Sequence, residues 1–151
     1  MLGLSPQPPE PEPRPSRWTK PPVGGDSTGF GERPAAICSN RSVTLVDRGL
    51  EPLEPDDRLF VVSGLNVKRS TTRAALDYVR RETRHGVRIG AICSGAYALA
   101  MAGLLDGKPC ALHWDYHDAF AKDSPDVILR HSVFVAGKNV MTSSGGRRPR
   151  T

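Results

Sequence analysis

VRIGAICSGAYALAMAG, residues 87–103, is the stretch on which the fold turns. Its first seven residues are apolar apart from Arg88, too few for a helix and rich in β-branched side chains, the pattern of a buried strand. Cys93 closes that run, and the helical stretch SGAYALAMAG opens with no intervening loop. Small residues stand two before the cysteine, at Ala91, and two after it, at Gly95. That spacing has the logic of a nucleophile elbow, a sharp strand-to-helix turn where bulk at either flank would clash with neighbouring backbone. Such a turn lifts the thiol to the C-terminal edge of the sheet, where open α/β folds bind ligands. The helix N-terminus beneath it favours thiolate over thiol, and the Ser94 N–H falls where one oxyanion donor is needed. The bland alternative keeps Cys93 as a small buried hydrophobe that closes a strand.

Working outward, RLFVVSGL (58–65) contains the continuous apolar run 59–62, which predicts a second strand buried on both faces. Ser70, Thr71 and Thr72 offer N-caps for a helix to about His85, with Gly86 as its stop. Ala75, Leu76 and Val79 are its expected buried stripe, and Arg73, Arg80, Arg81 and Arg84 its wet face. Upstream, SVTLV (42–46) alternates as a short strand and EPLEPDD (51–57) reads as an acidic, proline-punctuated loop. Downstream come a strand at 110–112, a helix over HWDYHDAFAK (113–122), and short strands across 127–144 with a turn at Gly137-Lys138-Asn139. Tyr97, Leu99 and Met101 are expected in the core. Strands alternating with helices through short connections predict an α/β fold, doubly wound and three-layered around a mostly parallel, flavodoxin-like sheet.

The 151 residues suffice for one such domain and not for two. Nine of the fourteen prolines fall in residues 1–34, so that stretch reads as a disordered leader, 35–146 as the folded domain and 147–151 as a basic tail. The net charge of +5 is mostly that tail: Arg147, Arg148 and Arg150 supply three charges, the leader cancels, and 35–146 is left near +2. Near-neutrality argues against specific DNA binding by this chain alone. Cys38, Cys93 and Cys110 are odd in number and widely spaced, which argues against a disulfide framework and for a single reactive thiol. No apolar run reaches the ~18 residues of a membrane span, and the N-terminus lacks the features of a signal peptide. A cytoplasmic protein without membrane contact is expected.

AICSGAYALAMAGLLDGKPCALHWDYHDAF (91–120) resembles the core of the ThiJ/PfpI superfamily, the class I glutamine amidotransferase-like fold. Within it, the likeness is to the sensor half of GlxA-like AraC-type transcriptional regulators. Four motifs carry it in order: Cys93-Ser94-Gly95-Ala96, Ala102 to Gly107, His113-Trp114, and Thr142 to Gly146. The resemblance implies a homodimeric domain that senses a small polar amine or amino-acid-like metabolite, bound near Gly64, Ser94, Gly95, His113 and Trp114. It implies further that Gly64 lends a backbone N–H to the site; otherwise Gly64 is an ordinary turn glycine. His113 lines that pocket, serves as a base for Cys93, or only caps backbone groups. The alternative function is a cysteine-dependent hydrolase or hydratase, similar to the isocyanide hydratases. Those enzymes take an acid or base from their first-strand region, and no candidate stands there in this chain, so a non-enzymatic sensor is expected. No cofactor is expected, and no metal either, although Cys110, His113 and His117 are closely spaced.

The resemblance also implies a first strand before residue 35 and a closing helix after Gly146. A proline-rich leader and RRPRT match neither, nor the helix-turn-helix part of the regulators. Apolar sheet surface is therefore expected to be uncovered around 59–62 and 87–93, with lowered stability and a tendency to self-associate.

Overall fold

The computed structural model describes residues 35–38, 41–46 and 49–146, so the expected leader and basic tail lie outside the described residues. The elements run β1 (Ala35–Ile37), β2 (Val43–Leu45), β3 (Arg58–Ser63), α1 (Val67–Ser70), α2 (Arg73–Arg84), β4 (Arg88–Cys93) and α3 (Ala96–Met101). There follow β5 (Pro109–Cys110), a 3-10 turn (Trp114–Tyr116), α4 (His117–Asp123), β6 (Ile128–Leu129), β7 (Phe134–Ala136) and β8 (Val140–Ser143). No described helix is long and apolar enough to cross a membrane.

The main sheet has the order β3-β4-β8-β7, with β3, β4 and β8 parallel and β7 antiparallel to β8. The 42–46 strand is trimmed to β2, which pairs antiparallel with β1, a strand the sequence reading left unmarked. The strand expected at 110–112 shortens to β5, which pairs in parallel with β6. Ala111 and Leu112 leave the ladder but stay buried, and the Ala111 N–H donates to Thr142 Oγ1 at 2.8 Å. Nor is 113–122 one helix. His113 caps a 3-10 turn first, its Nδ1 accepting from the Asp115 N–H at 3.4 Å, and α4 starts only at His117.

Of the three candidate caps, Thr72 takes the role: its Oγ1 accepts from the Ala75 N–H at 3.2 Å. Gly86, at φ 92°, adopts the left-handed conformation that ends α2. The buried stripe is rotated from the one expected. Tyr78, Val79 and Glu82 are buried, whereas Ala75 and Leu76 are only half-buried. Two of the arginines assigned to the wet face are tied down. Arg80 donates to the carbonyls of Ala102 and Met101, and Arg81 Nε donates to Glu82 Oε1 at 2.8 Å.

The reason is the acidic loop, whose Leu53 N–H donates to Glu82 Oε2 at 3.0 Å and whose Glu51 carbonyl accepts from the Tyr78 hydroxyl. α2 turns its carboxylate inward to hold that loop. Glu82→Ala should strand both donors and cost about 3 kcal/mol, the low end for breaking a buried pair because Arg81 is partly solvated. Urea unfolding of wild type and variant measures it.

Helices α2 and α3 pack on β3 and β4 from one side, over Leu59, Val61, Ile89 and Ala91. Phe120, Leu99, Leu105 and Leu112 complete that core, but Met101 is exposed and not in it. The opposite sheet face carries Phe60, Val62, Met141 and Phe134 in the exposed class. The run 59–62 is therefore not a strand buried on both faces. Its residues alternate between half-buried and exposed among the described residues. On β4 the same face is partly closed, since the Phe60 ring lies on Gly90 so tightly that a Cβ would come within 2.3 Å of it.

Candidate functional site

β4 ends in a residue that leaves the strand conformation: Cys93 has φ 61°. A non-glycine residue in this region stores of the order of 1–3 kcal/mol, and such strain persists only where neighbours over-determine it. Three groups do so here. The Gly95 N–H closes the turn on the Ile92 carbonyl at 3.0 Å, and the His113 N–H reaches the Cys93 carbonyl at 3.4 Å. Gly145, from the turn after β8, lies directly over the cysteine, so that a Cβ on it would meet Cys93 Cβ at 2.9 Å. Gly95 is required on the other side, where an added Cβ would stand 2.2 Å from the Val61 carbonyl oxygen.

The turn sends successive side chains in opposite directions. Cys93 is half-buried at the C-terminal edge of the parallel strands, while Ser94 is fully buried. Ser94 Oγ donates to the Gly64 carbonyl at 2.5 Å, and the Tyr116 hydroxyl donates to the same carbonyl at 3.2 Å. Gly64 thus joins the ends of β3 and β4 to the 3-10 turn through its carbonyl. A Cβ at this position would meet nothing within 4 Å, so sterics do not demand glycine here.

Tyr116 went unmarked in the sequence. Burial, and after it the charge of the nearby Cys93, hold its phenol above its ordinary pKa, which places it within electrostatic reach of the thiol. It also meets His113 and Tyr97 edge-on, with ring centroids 6.2 Å away in each case. Inside the reading of 113–122 as one helix, nothing distinguished it from a packing aromatic.

His113 reaches Cys93 through its backbone alone. Its ring stacks on Trp114 at 5.2 Å and turns toward Asp115, and among the described residues no hydrogen bond joins it to the thiol. The capping role is the one its geometry shows. His117 does not share a helix face with His113. Its Nε2 bonds the Leu112 carbonyl at 3.0 Å and its Nδ1 meets His131 Nδ1 at 3.1 Å. Among the described residues no three His, Cys, Asp or Glu side chains converge as metal ligands. Cys110 is wholly buried, and burial pushes its thiol up to about 11.

Tyr97, beneath the site, is pushed up to about 12 by burial and by its hydrogen bond to Asp123. Asp123 in turn is held low by the hydrogen-bonded ion pair with Lys68. What the arrangement supplies is a partly open thiol, a Gly64 carbonyl that accepts two hydrogen bonds, and the Tyr116 phenol within electrostatic reach of the sulfur. No general base sits against the sulfur among the described residues.

Residues 31–150 match the model of the DJ-1/PfpI family. The HTH-type transcriptional regulator CdhR of Pseudomonas aeruginosa is 39% identical over 110 residues, which are 73% of this chain and 33% of that protein. GbdR, an HTH-type transcriptional regulator of the same organism, is 38% identical over 103 residues, 68% of this chain and 28% of its own. The chain therefore spans about a third of the length of the curated relatives it matches. Among solved structures, an AraC family transcriptional regulator from Pseudomonas putida superposes with a TM-score of 0.57 at 20% identity, covering 73% of this chain and 60% of that one. Drosophila melanogaster DJ-1beta gives 0.58 at 24% identity, covering 72% and 60%. At those identities the structures establish the fold, a mostly parallel α/β sheet. With the family model matching most of its length, this chain belongs to the DJ-1/PfpI family, and it is homologous to part of HTH-type transcriptional regulators.

Proposed function

We propose that this domain is a sensor: it binds a small polar amine or amino-acid-like metabolite beside Cys93, as the ligand-responsive part of an AraC-type regulator. The observation that carries the reading is the 39% identity with a transcriptional regulator over 73% of this chain. In this reading His113 serves as a cap and not as a base, its Nδ1 accepting from the Asp115 N–H. In this reading Cys93 occupies a nucleophile-elbow turn without using it for catalysis. Ser94, Gly95 and Gly64 shape the floor, and His113 and Trp114 form the wall with Tyr116. The protein works in the cytoplasm as a homodimer and needs no cofactor. The near-neutral 35–146 stretch makes no specific DNA contact by itself.

Thermal melts across a panel of free amino acids, polyamines and quaternary amines test this. A ligand present at about 100 times its Kd adds about 2.7 kcal/mol and raises Tm by several degrees. Tyr116→Phe, which removes the hydroxyl bonded to Gly64, should reduce that shift. Absence of any shift across the panel rejects the amine reading. Turnover of an isonitrile that disappears in Cys93→Ala would replace the sensor with a hydratase.

A further inference from the structure

Cys110, His113 and His117 are closely spaced in the sequence but do not converge; the fold brings His131 to His117 instead. Backbone builds the meeting. β5 and β6 run parallel with Cys110 opposite Leu129, and the Arg130 N–H extends the ladder to the Cys110 carbonyl at 2.8 Å. Continuing that register sets His131 beside Leu112, just past the C-terminal end of the pair. His117, the first residue of α4, reaches the same place, where its Nε2 bonds the Leu112 carbonyl at 3.0 Å. A carbonyl only accepts, so Nε2 carries the proton and Nδ1 of the neutral ring keeps its lone pair. That lone pair meets His131 Nδ1 at 3.1 Å.

The two rings do not sit as an in-line hydrogen bond would hold them. An in-line N–H···N bond of this length places ring centroids about 5.4 Å apart. Here they stand 4.7 Å apart with the planes at 68°. The nitrogen axes are therefore tilted off the line that joins them. A metal ion about 2.0–2.1 Å from each nitrogen would subtend about 95–100° and set the centroids about 4.8 Å apart, close to the observed spacing. His131 is exposed and His117 half-buried, so the pair opens to solvent on one side.

We propose that His117 and His131 chelate a divalent cation of the late first row (copper, nickel or zinc) through their two Nδ1 atoms. Imidazole nitrogen suits these ions, whereas magnesium and calcium take oxygen. An angle of about 95–100° serves neighbouring positions of a square-planar ion and lies within reach of a tetrahedral one. The Leu112 carbonyl is the outer partner that fixes the His117 ring and its tautomer. Two protein ligands are fewer than the three or four that hold a resident ion, so the cation exchanges, and water or a small chelating molecule completes its shell. Bound there, it ties the start of α4 to the chain after β6. It is no cofactor of the site at Cys93, and the chelate stands whether or not Cys93 binds a metabolite.

Calorimetric titration of the full chain with nickel(II), which does not oxidise thiols, should give one saturable site, and magnesium none. His117→Ala and His131→Ala should each weaken nickel binding at least about tenfold, since even outer-shell changes cost about 10–100-fold. His85→Ala, at the exposed end of α2, and Cys93→Ala should leave it unchanged. In the wild-type protein, paramagnetic broadening by substoichiometric nickel should reach the imidazole signals of His117 and His131 before those of His85 and His113. Absence of saturable binding overturns the chelate. So does binding that survives His131→Ala with an unchanged circular dichroism spectrum, that is lost in Cys93→Ala, or that broadens His85 or His113 first.

Discussion

Gly95→Ala is expected to remove about 4 kcal/mol of unfolding free energy, where a whole domain has only about 5–15 kcal/mol. The added Cβ would stand 2.2 Å from the Val61 carbonyl oxygen and 3.0 Å from that of Ile92. Both are backbone atoms, one in the neighbouring strand and one in the turn itself, so neither can swing aside as a side-chain tip would. Relief requires β3 and the start of α3 to separate, which also pulls on the bond from Ser94 to Gly64. Overpacking into flexible neighbours costs about 1–3 kcal/mol, and a rigid backbone contact lies beyond that range. A matched series isolates the cause. Gly64→Ala, with open space and no positive φ, should change stability by less than about 0.5 kcal/mol. Gly107→Ala, at φ 68° with nothing nearby, should cost about 1–2 kcal/mol from backbone strain alone. Gly145→Ala combines a φ of 71° with a contact on Cys93, so it should fall between Gly107 and Gly95. Chemical denaturation of the four variants orders them. Equal losses at Gly64 and Gly95 would show that close backbone approach is not what the turn requires.

The second large effect is chemical selectivity among the three thiols. Iodoacetamide at about pH 8 should modify Cys93 first and Cys110 last, with Cys110 at least 100-fold slower than an ordinary thiol. Cys93 is half-buried at the edge of the sheet, where reagent can reach it. Cys110 is wholly buried, and its thiol is raised from 9.0 to about 11 by burial, against a smaller opposing hydrogen bond from Thr142. Two pH units above its ordinary value leave about a hundredth of the usual thiolate at neutral pH, before access is counted. The sign fixes the pH profile: modification of Cys110 should rise about tenfold per pH unit and level off only near 11. Cys38 is half-buried and its Sγ lies 3.3 Å from Thr44 Oγ1 in the β1-β2 hairpin, so an intermediate rate is expected. Mass-spectrometric mapping over time gives all three rates at once. Modification of Cys110 ahead of Cys93 would remove the distinction between an open thiol and a core one.

The first effect, and the Cys93 side of the second, trace to residues 87–103, whose strand-to-helix turn is legible in the sequence. Local constraints determined it: an apolar run too short for a helix, a cysteine, and small residues where backbone must approach closely. A cap among Ser70, Thr71 and Thr72, the Gly86 stop and the turn at 137–139 were equally readable, because capping and turn chemistry depend on near neighbours in sequence, though which of the three residues caps was not. What local rules could not supply was everything decided by which segment packs against which. Glu82 resembles a surface carboxylate until Leu53 is brought to it from 29 residues away. Tyr116 gains its place only when the β3 end presents the Gly64 carbonyl, 52 residues distant. His113 has the residue type of a catalytic base, and only the fold shows its ring turned onto Trp114 and Asp115.

The run 59–62 shows the boundary most clearly. Hydrophobicity determined that these residues form a strand, since four apolar residues between turn signals fit nothing else. Whether both faces of that strand are sheltered is a property of the layers around it. Tertiary structure alone decided that Leu59 and Val61 lie under helices while Phe60 and Val62 face outward. An apolar side chain is written identically in the sequence whether a helix or a second molecule is to cover it, because burial is non-directional and depends only on what removes the water.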